Sequence, residues 1–318
     1  MAIILIIPGF IFLIKGADFL VDGASSIARR YNVSDLVIGL TVVAFGTSLP
    51  ELFVNIIASI EGDTGIAIGN ILGSNTANVM LILGISSIIA PLTVTIGTVW
   101  KEIPLSLLAA LLLAVLANDH LIDRVEFSTL TRIDGLVLIA FFIVFIYYSF
   151  SIAKRINGLN EHVSTRQLGI AKSSIFIIIG LLGLGIGAKW IVNGAMQLTV
   201  LLRVSQSFIG LTIVALGTSL PELATSATAA YKKNTEIAVG NIVGSNIFNI
   251  FFILGISAII NPIPFKLRSN FDIGVLIFSN ILLFTCMFAG KRHIIERWKG
   301  TVFTSLYVIY IISLIIMR

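Results

Sequence analysis

Long apolar stretches, broken at intervals by short polar ones, run the whole length of this chain. Ten apolar runs can be marked, at about 2–22, 35–59, 66–90, 103–118, 134–152, 173–195, 206–230, 237–260, 272–290 and 301–317. Most have the roughly 17–25 residues that a helix needs to cross a bilayer. The pattern predicts an all-α polytopic membrane protein with ten transmembrane helices. Composition agrees: 57% of residues are hydrophobic, 12% are charged, and mean hydropathy is +1.04. A soluble domain carries about twice that share of charge. The first run has no basic segment ahead of it, because Lys15 falls late within it. It therefore reads as a structural span and not a signal peptide.

The runs are also written twice. GLTVVAFGTSLPE (39–51) returns as GLTIVALGTSLPE (210–222), 171 residues later, with 11 of 13 positions identical. The same offset carries GNILGSNTAN (69–78) onto GNIVGSNIFN (240–249), and GADFLVDGA (16–24) onto GAKWIVNGA (187–195). Two five-helix repeats are expected, over 1–160 and 161–318, joined by a short polar linker at about 153–172. That linker is too short to house a regulatory domain.

Charge sets the expected orientation. With the N-terminus outside, inner loops hold 13 of the 21 basic residues and outer segments hold six. Positive charge favours the cytoplasmic side, so both termini are expected outside. Five spans per repeat is an odd number, which makes the second repeat inverted relative to the first. The net charge of +5 then reports topology and not nucleic-acid binding. Acidic residues in the expected outer loops, such as Glu61, Asp63, Asp119, Asp123 and Glu126, read as solvated.

The duplicated motif has a chemical reading. Pro50 lacks an N–H, and its ring clashes with the carbonyl four residues back, so the helix should break there. Carbonyls around Ala44 to Thr47 would be freed beside the Thr47 and Ser48 hydroxyls and the Glu51 carboxylate. Pro221, with Ala215 to Thr218, Ser219 and Glu222, repeats the arrangement. Irregular backbone and ionisable groups within a membrane mark a cavity or an ion path. Two hard-oxygen clusters suit Ca²⁺ or Na⁺. No span pairs Cys and His as a soft metal would require; His120, His162 and His293 fall in loops, and lone Cys286 reads as a small apolar residue.

In the neighbouring spans Ser74 and Asn78 share a helical face, as do Ser245 and Asn249, and both copies would aim these residues at the glutamates. For Asn70, Asn75, Asn241 and Asn246, ligation and plain helix-to-helix hydrogen bonding stand level. Small residues at Gly69, Gly73 and Gly244 would ease that packing. The other charges deep in the expected spans, Asp18, Asp22 and Lys189, do not repeat symmetrically.

GTSLPE followed by GNILGSNTAN, in both copies, resembles the alpha-repeats of the cation/calcium exchanger superfamily, specifically its sodium/calcium exchanger branch and the short prokaryotic type. The resemblance implies an antiporter of the prokaryotic plasma membrane, not an enzyme. Its substrates would be Ca²⁺ and Na⁺, with no cofactor, and its surroundings the lipid bilayer; no protein partner is implied. Glu51 and Glu222 would bridge Ca²⁺, helped by carbonyls of Thr47 and Thr218. Na⁺ would lie at the flanks, on Ala44, Ser48 and Ser74 in one copy and Ala215, Ser219 and Ser245 in the other. Asn78 and Asn249 would complete a diamond-shaped cluster. The first and sixth spans would slide across the remaining core to alternate access.

Three alternatives stay open on the residues alone. A proton/calcium antiporter could use the same glutamates, since a carboxylate out of water can take up a proton; that branch tends to GN-x-x-E in place of GTS-x-P-E. Potassium-dependent exchangers carry aspartate where this chain has Asn249. A cation channel could use the same oxygens, although two inverted copies with broken helices suit alternating access better. An intramembrane hydrolase is disfavoured, because Ser48 and Ser219 have no histidine or lysine base in the matching spans.

Overall fold

The computed structural model describes residues 6–31, 33–62, 64–122, 124, 126–153, 168–201 and 215–317. Residues 206–214 of the seventh run, linker residues 154–167 with His162, and Asp63 and Asp123 lie outside the described residues.

The helices follow the apolar runs closely. They are α1 (Ile6–Arg30), α2 (Asp35–Thr47), α3 (Leu49–Glu61) and α4, which passes from Thr64–Thr76 through Ala77–Ile82 to Leu83–Ile89. Next come α5 (Ile96–Leu116), α6 (Arg132–Ala153) and α7 (Ile170–Leu201). The turn Ala215–Thr218 leads into α8 (Leu220–Tyr231), followed by α9 (Thr235–Ile260), α10 (Ser269–Cys286) and α11 (Arg297–Met317). Among the described residues seven helices are long and apolar enough to cross a membrane, and the bent pair α2–α3 brings the number to eight. The other two expected spans differ for separate reasons. Helix α1 carries Lys15, Asp18 and Asp22 in its middle, and the seventh run is described only from Ala215 onward.

The expectation of helices alone needs one amendment. Two short antiparallel strand pairs tie the connections together. Strand β1 (Leu92–Thr93) pairs with β4 (Ile294–Ile295), in register Leu92 with Ile295. Strand β2 (Ser128–Leu130) pairs with β3 (Ile263–Phe265), in register Leu130 with Ile263. Leu92 and Ile263 are themselves 171 residues apart, so the two clips are the same device in each copy. They form where Pro91 and Pro262 follow the ends of α4 and α9, since proline cannot continue a helix.

Burial separates an inner layer from an outer one. Helices α4 and α9 are 78% and 83% enclosed along their most apolar windows, against 22% for α6 and α7. The outer helices expose Ile143, Val144 and Phe150, Ile178 and Leu182, and Ile309 and Ile312. So broad an apolar surface belongs in lipid. Helix α9 crosses α2 closely at Gly244, where a Cβ would lie 2.6 Å from the Leu40 carbonyl oxygen. Gly69 serves no such purpose, having nothing within 4 Å of where a Cβ would stand.

More charge is buried than the apolar runs suggested. Glu102, Asp272 and Lys299 are all within a few per cent of full burial. Each is answered: Tyr148 donates to Glu102 and Tyr310 donates to Asp272. The Lys299 ammonium donates to the carbonyls of Ala289 and Ile294, each at 2.7 Å. These groups sit near helix ends, where a reading of run centres overlooks them. Asp18 and Asp22 meet Lys232, at 3.1 and 2.9 Å.

Candidate cation site

Proline chemistry builds the centre of the molecule. Helices α2 and α3 meet at a 47° bend, with Ser48 at φ −84° and ψ 8° between them. Pro50 offers no N–H, so the Gly46 carbonyl loses its helical donor. Within the stretch expected to be freed, Ala44 is the exception. Its carbonyl accepts the Ser48 N–H at 3.0 Å and the Thr47 hydroxyl at 3.3 Å. Ser219 repeats the break at φ −86° and ψ 3° ahead of Pro221. Each break starts a new helix whose first turn carries a glutamate, Glu51 on α3 and Glu222 on α8. Helix N-termini carry partial positive charge, which favours carboxylates there.

The two copies are wired to each other. The Ser48 hydroxyl donates to Glu222 Oε1 at 2.8 Å, and the Ser219 hydroxyl donates to Glu51 Oε1 at 3.1 Å. These are one interaction repeated at the 171-residue offset, with each serine serving the opposite copy's glutamate. The threonines cross in the same way: Thr47 donates to Asn241 Oδ1 at 3.0 Å and Thr218 donates to Asn70 Oδ1 at 3.2 Å. Both carboxylates are buried to 1% exposure or less.

The carboxamides form a second crossing. Asn78 donates to Asn246 Oδ1 at 3.0 Å, and Asn249 donates to Asn75 Oδ1 at 2.9 Å and to the Ser74 hydroxyl at 3.3 Å. Each amide nitrogen donates across the copies, and Asn78 Oδ1 and Asn249 Oδ1 are left as acceptors. Both stand where the backbone widens to π-helical turns, Ala77–Ile82 and Asn249–Leu254. Such turns are rare and concentrate at functional sites.

Among the buried side-chain atoms left without a partner, four are acceptors of the two repeated motifs. Glu51 Oε2, Glu222 Oε2, Asn78 Oδ1 and Asn249 Oδ1 have no hydrogen-bond partner among the described residues, and neither does the Ser245 hydroxyl. Leaving a buried polar atom unpaired costs about 1–3 kcal/mol, and more when it is charged. These four unpaired oxygens, two from each copy at equivalent positions, are acceptors that a cation could satisfy. The described residues contain no group of three or more His, Cys, Asp and Glu able to hold a metal, so carboxamides, hydroxyls or backbone carbonyls would have to complete a cation shell around the two glutamates.

A sequence model of the sodium/calcium exchanger protein family matches residues 1–151 and 172–316. The chain belongs to the sodium/calcium exchanger family. The gap in that match is the polar linker. Sodium/calcium exchanger MaX1 of Methanosarcina acetivorans is 33% identical over 346 aligned residues, covering 98% of this chain and 97% of its own. The inner membrane protein YrbG of Escherichia coli is 35% identical over 270 residues, covering 82% of this chain and 81% of its own. The sodium-calcium exchanger NCX_Mj, solved after soaking with 2.5 mM Na⁺ and 0.1 mM Ca²⁺, matches at a TM-score of 0.83 and 37% identity, with 98% of each chain covered.

Within this exchanger the expected site residues fall into two sets. Ser48 bonds Glu222, Ser219 bonds Glu51 and Asn249 bonds Ser74, each pair crossing between the copies, while Asn78 bonds Asn246. Thr47 and Thr218 bond to Asn241 and Asn70, and Ala44 and Ser245 are buried close by in sequence; Ala215 opens the turn before the second break. The asparagines that stood level between two roles are engaged as scaffold: Asn70, Asn75, Asn241 and Asn246 each bridge helices. Two residues of this scaffold escaped the sequence reading. Asn55 accepts from Asn70 at 2.9 Å and donates to the Ala67 carbonyl, and its equivalent Ser226 accepts from Asn241 at 2.9 Å. The signal was present, since Asn55 and Ser226 lie one helical turn beyond each glutamate.

Proposed function

We propose that the chain is a secondary antiporter that exchanges Na⁺ for Ca²⁺ by alternating access, and that Glu51, Glu222, Asn78 and Asn249 hold Ca²⁺ at one site shared by both repeats. The observation that carries this reading is the set of four unpartnered buried oxygens, two of them charged. The carbonyls of Thr47 and Thr218 help to hold Ca²⁺, and Ser48, Ser74, Ser219, Ser245, Ala215 and Ala44, whose carbonyl would first release the Thr47 hydroxyl, supply the flanking oxygens for Na⁺. Hard oxygen ligands in a flexible, mixed set suit these ions. Family membership supports the pairing of Na⁺ with Ca²⁺.

Electrogenicity follows from charge. Two carboxylates neutralise one Ca²⁺, whereas three Na⁺ in the same cluster would leave one positive charge in excess. Moving one charge against the membrane potential is worth about 2.3 kcal/mol per 100 mV, so flux should depend on potential. The wider architecture in this reading is two inverted five-helix repeats, 1–160 and 161–318, in a prokaryotic plasma membrane with both termini outside. The excess of basic residues on the opposite side supports that orientation.

The test is ⁴⁵Ca uptake by purified protein in liposomes under Na⁺, K⁺ and H⁺ gradients applied in turn. Uptake driven by Na⁺ alone, and altered by a clamped potential, is the expected result. Uptake driven by a pH gradient would favour proton exchange, and uptake needing no counter-ion would favour a channel. In the same assay Asn249→Asp adds a third carboxylate, and it is expected to change the ion stoichiometry or introduce K⁺ dependence.

A further inference from the structure

The charges that failed to repeat are informative once they are placed at the offset. Asp18 on α1 is equivalent to Lys189 on α7, and Lys232 at the end of α8 is equivalent to Glu61 at the end of α3. Both positions reverse sign together. A pair that is acid on the outer helix and base on the inner one becomes base on the outer helix and acid on the inner one. Each pair stays attractive.

Only one of the two pairs is closed. The Lys232 ammonium lies 3.1 Å from Asp18 and 2.9 Å from Asp22, and it also donates to the Asp18 carbonyl at 3.2 Å. Next to it, Asn234 donates to the Ser25 hydroxyl of α1 at 3.0 Å. At the other end both Glu61 and Lys189 are exposed, and no ion pair joins them among the described residues. Packing follows the charges. Helix α1 lies along α8, whereas α7 makes no comparable contact with α3 among the described residues. The chain reversal is built alike at both ends, with Gly62 at φ 80° after Glu61 and Lys233 at φ 61° after Lys232.

The bodies that carry these charges are suited to relative movement. Helices α1 and α7 are packed backbone to backbone, so they form one unit. That unit turns a broad apolar face outward, with Ile7, Ile11, Ile14, Ile175, Ile178 and Leu182 exposed. It carries negative charge beside Lys232 and, at the equivalent position on α7, the positive charge of Lys189.

We infer that these are two alternating latches: Lys232 with Asp18 and Asp22 holds the α1–α7 unit at one end of the core, and Glu61 with Lys189 holds it at the other end when the first pair has opened. The inference rests on the alternating-access reading, and it adds to it the groups that hold each end shut. Part-buried ion pairs of this kind contribute modestly to stability, which suits a contact that is made and broken in every cycle. Both pairs cannot be closed at once if the unit moves as a body.

The test uses the full chain with Cys286→Ser, Glu61→Cys and Lys189→Cys, and a short bifunctional thiol reagent, with and without Lys232→Gln. Crosslinking of 61 to 189 is expected to rise several-fold when Lys232 is neutralised. Lys232→Asp combined with Asp18→Lys restores an attractive pair and is expected to return crosslinking toward its starting level, which a merely damaged protein would not do. Crosslinking that is absent in every chain, or indifferent to Lys232, overturns the latches. This readout needs no transport. In chains with the native cysteine and no reagent, Glu61→Lys should slow Na⁺-driven Ca²⁺ flux, and adding Lys189→Glu should recover it. If the unsubstituted chain shows no such flux, the exchanger reading fails, while the crosslinks still decide whether the two ends close in turn.

Discussion

Replacing either Glu51 or Glu222 with glutamine is expected to abolish Na⁺-driven ⁴⁵Ca uptake, with a loss of about a hundredfold or more. Each carboxylate presents one unpartnered oxygen to the interior while its other oxygen is held by the opposite copy's serine. Glutamine keeps the size and one acceptor but removes the charge. Losing one member of a buried charged pairing costs about 3–5 kcal/mol, and each 1.36 kcal/mol is a factor of ten. The two substitutions should be equally damaging, because the offset makes their surroundings equivalent. Near-normal uptake by either purified variant would mean that the cation is held elsewhere.

The second large effect lies far from the cation. Gly16→Ala is expected to destabilise the folded protein by about 1–3 kcal/mol, since overfilling a close-packed contact costs that much. A Cβ on Gly16 would stand 2.7 Å from the Leu184 amide nitrogen and 2.8 Å from the Gly180 carbonyl oxygen. Both are backbone atoms and cannot swing aside. Gly180 faces Gly16 in the same way, its own Cβ falling 2.7 Å from the Leu20 amide. Gly69→Ala is the matched control. Nothing lies within 4 Å of its Cβ position, and alanine in a helix is favoured over glycine by about 0.5–1 kcal/mol. Thermal unfolding in detergent should therefore move down for Gly16→Ala and stay level or rise for Gly69→Ala. Equal shifts for both would show that α1 and α7 are not packed as one unit.

The site was legible in the sequence to an uneven degree, and the reason is physical. A carboxylate or a proline within an apolar run is costly, so Glu51, Pro50 and their copies announce themselves without any structure. Helical spacing placed Asn78 on the face of Ser74 and Asn249 on the face of Ser245. Which asparagines are scaffold was not readable from it. Asn70 and Asn75 have the same chemistry as Asn78, and only the partner of each amide N–H separates them. Ala44 illustrates the converse case. Proline predicts a freed carbonyl somewhere in the preceding turn, but the Ser48 N–H still reaches Ala44, and the loss falls on Gly46, two residues further along.

The fold divided in the same way. Apolar runs located the described helices, because hydrocarbon leaves backbone groups no partner but their own helix, although some ends lie six to eight residues from the run ends, as at Arg30, Ile96 and Leu201. The strand clips were not legible: two- and three-residue strands at β1 to β4 carry no periodicity to read. Glu102 and Asp272 also escaped, being sealed by tyrosines that approach from other helices. Lys189 read as an unmatched charge until its equivalent Asp18 was seen bound to Lys232.

In the proposed mechanism two copies of one motif make one cation site and not two. Equilibrium ⁴⁵Ca binding to the purified chain tests this most directly, with Glu51→Gln and Glu222→Gln measured beside it. One Ca²⁺ per chain is expected, with binding lost in either variant alone. Two Ca²⁺ per chain, or half the binding surviving each substitution, would contradict it.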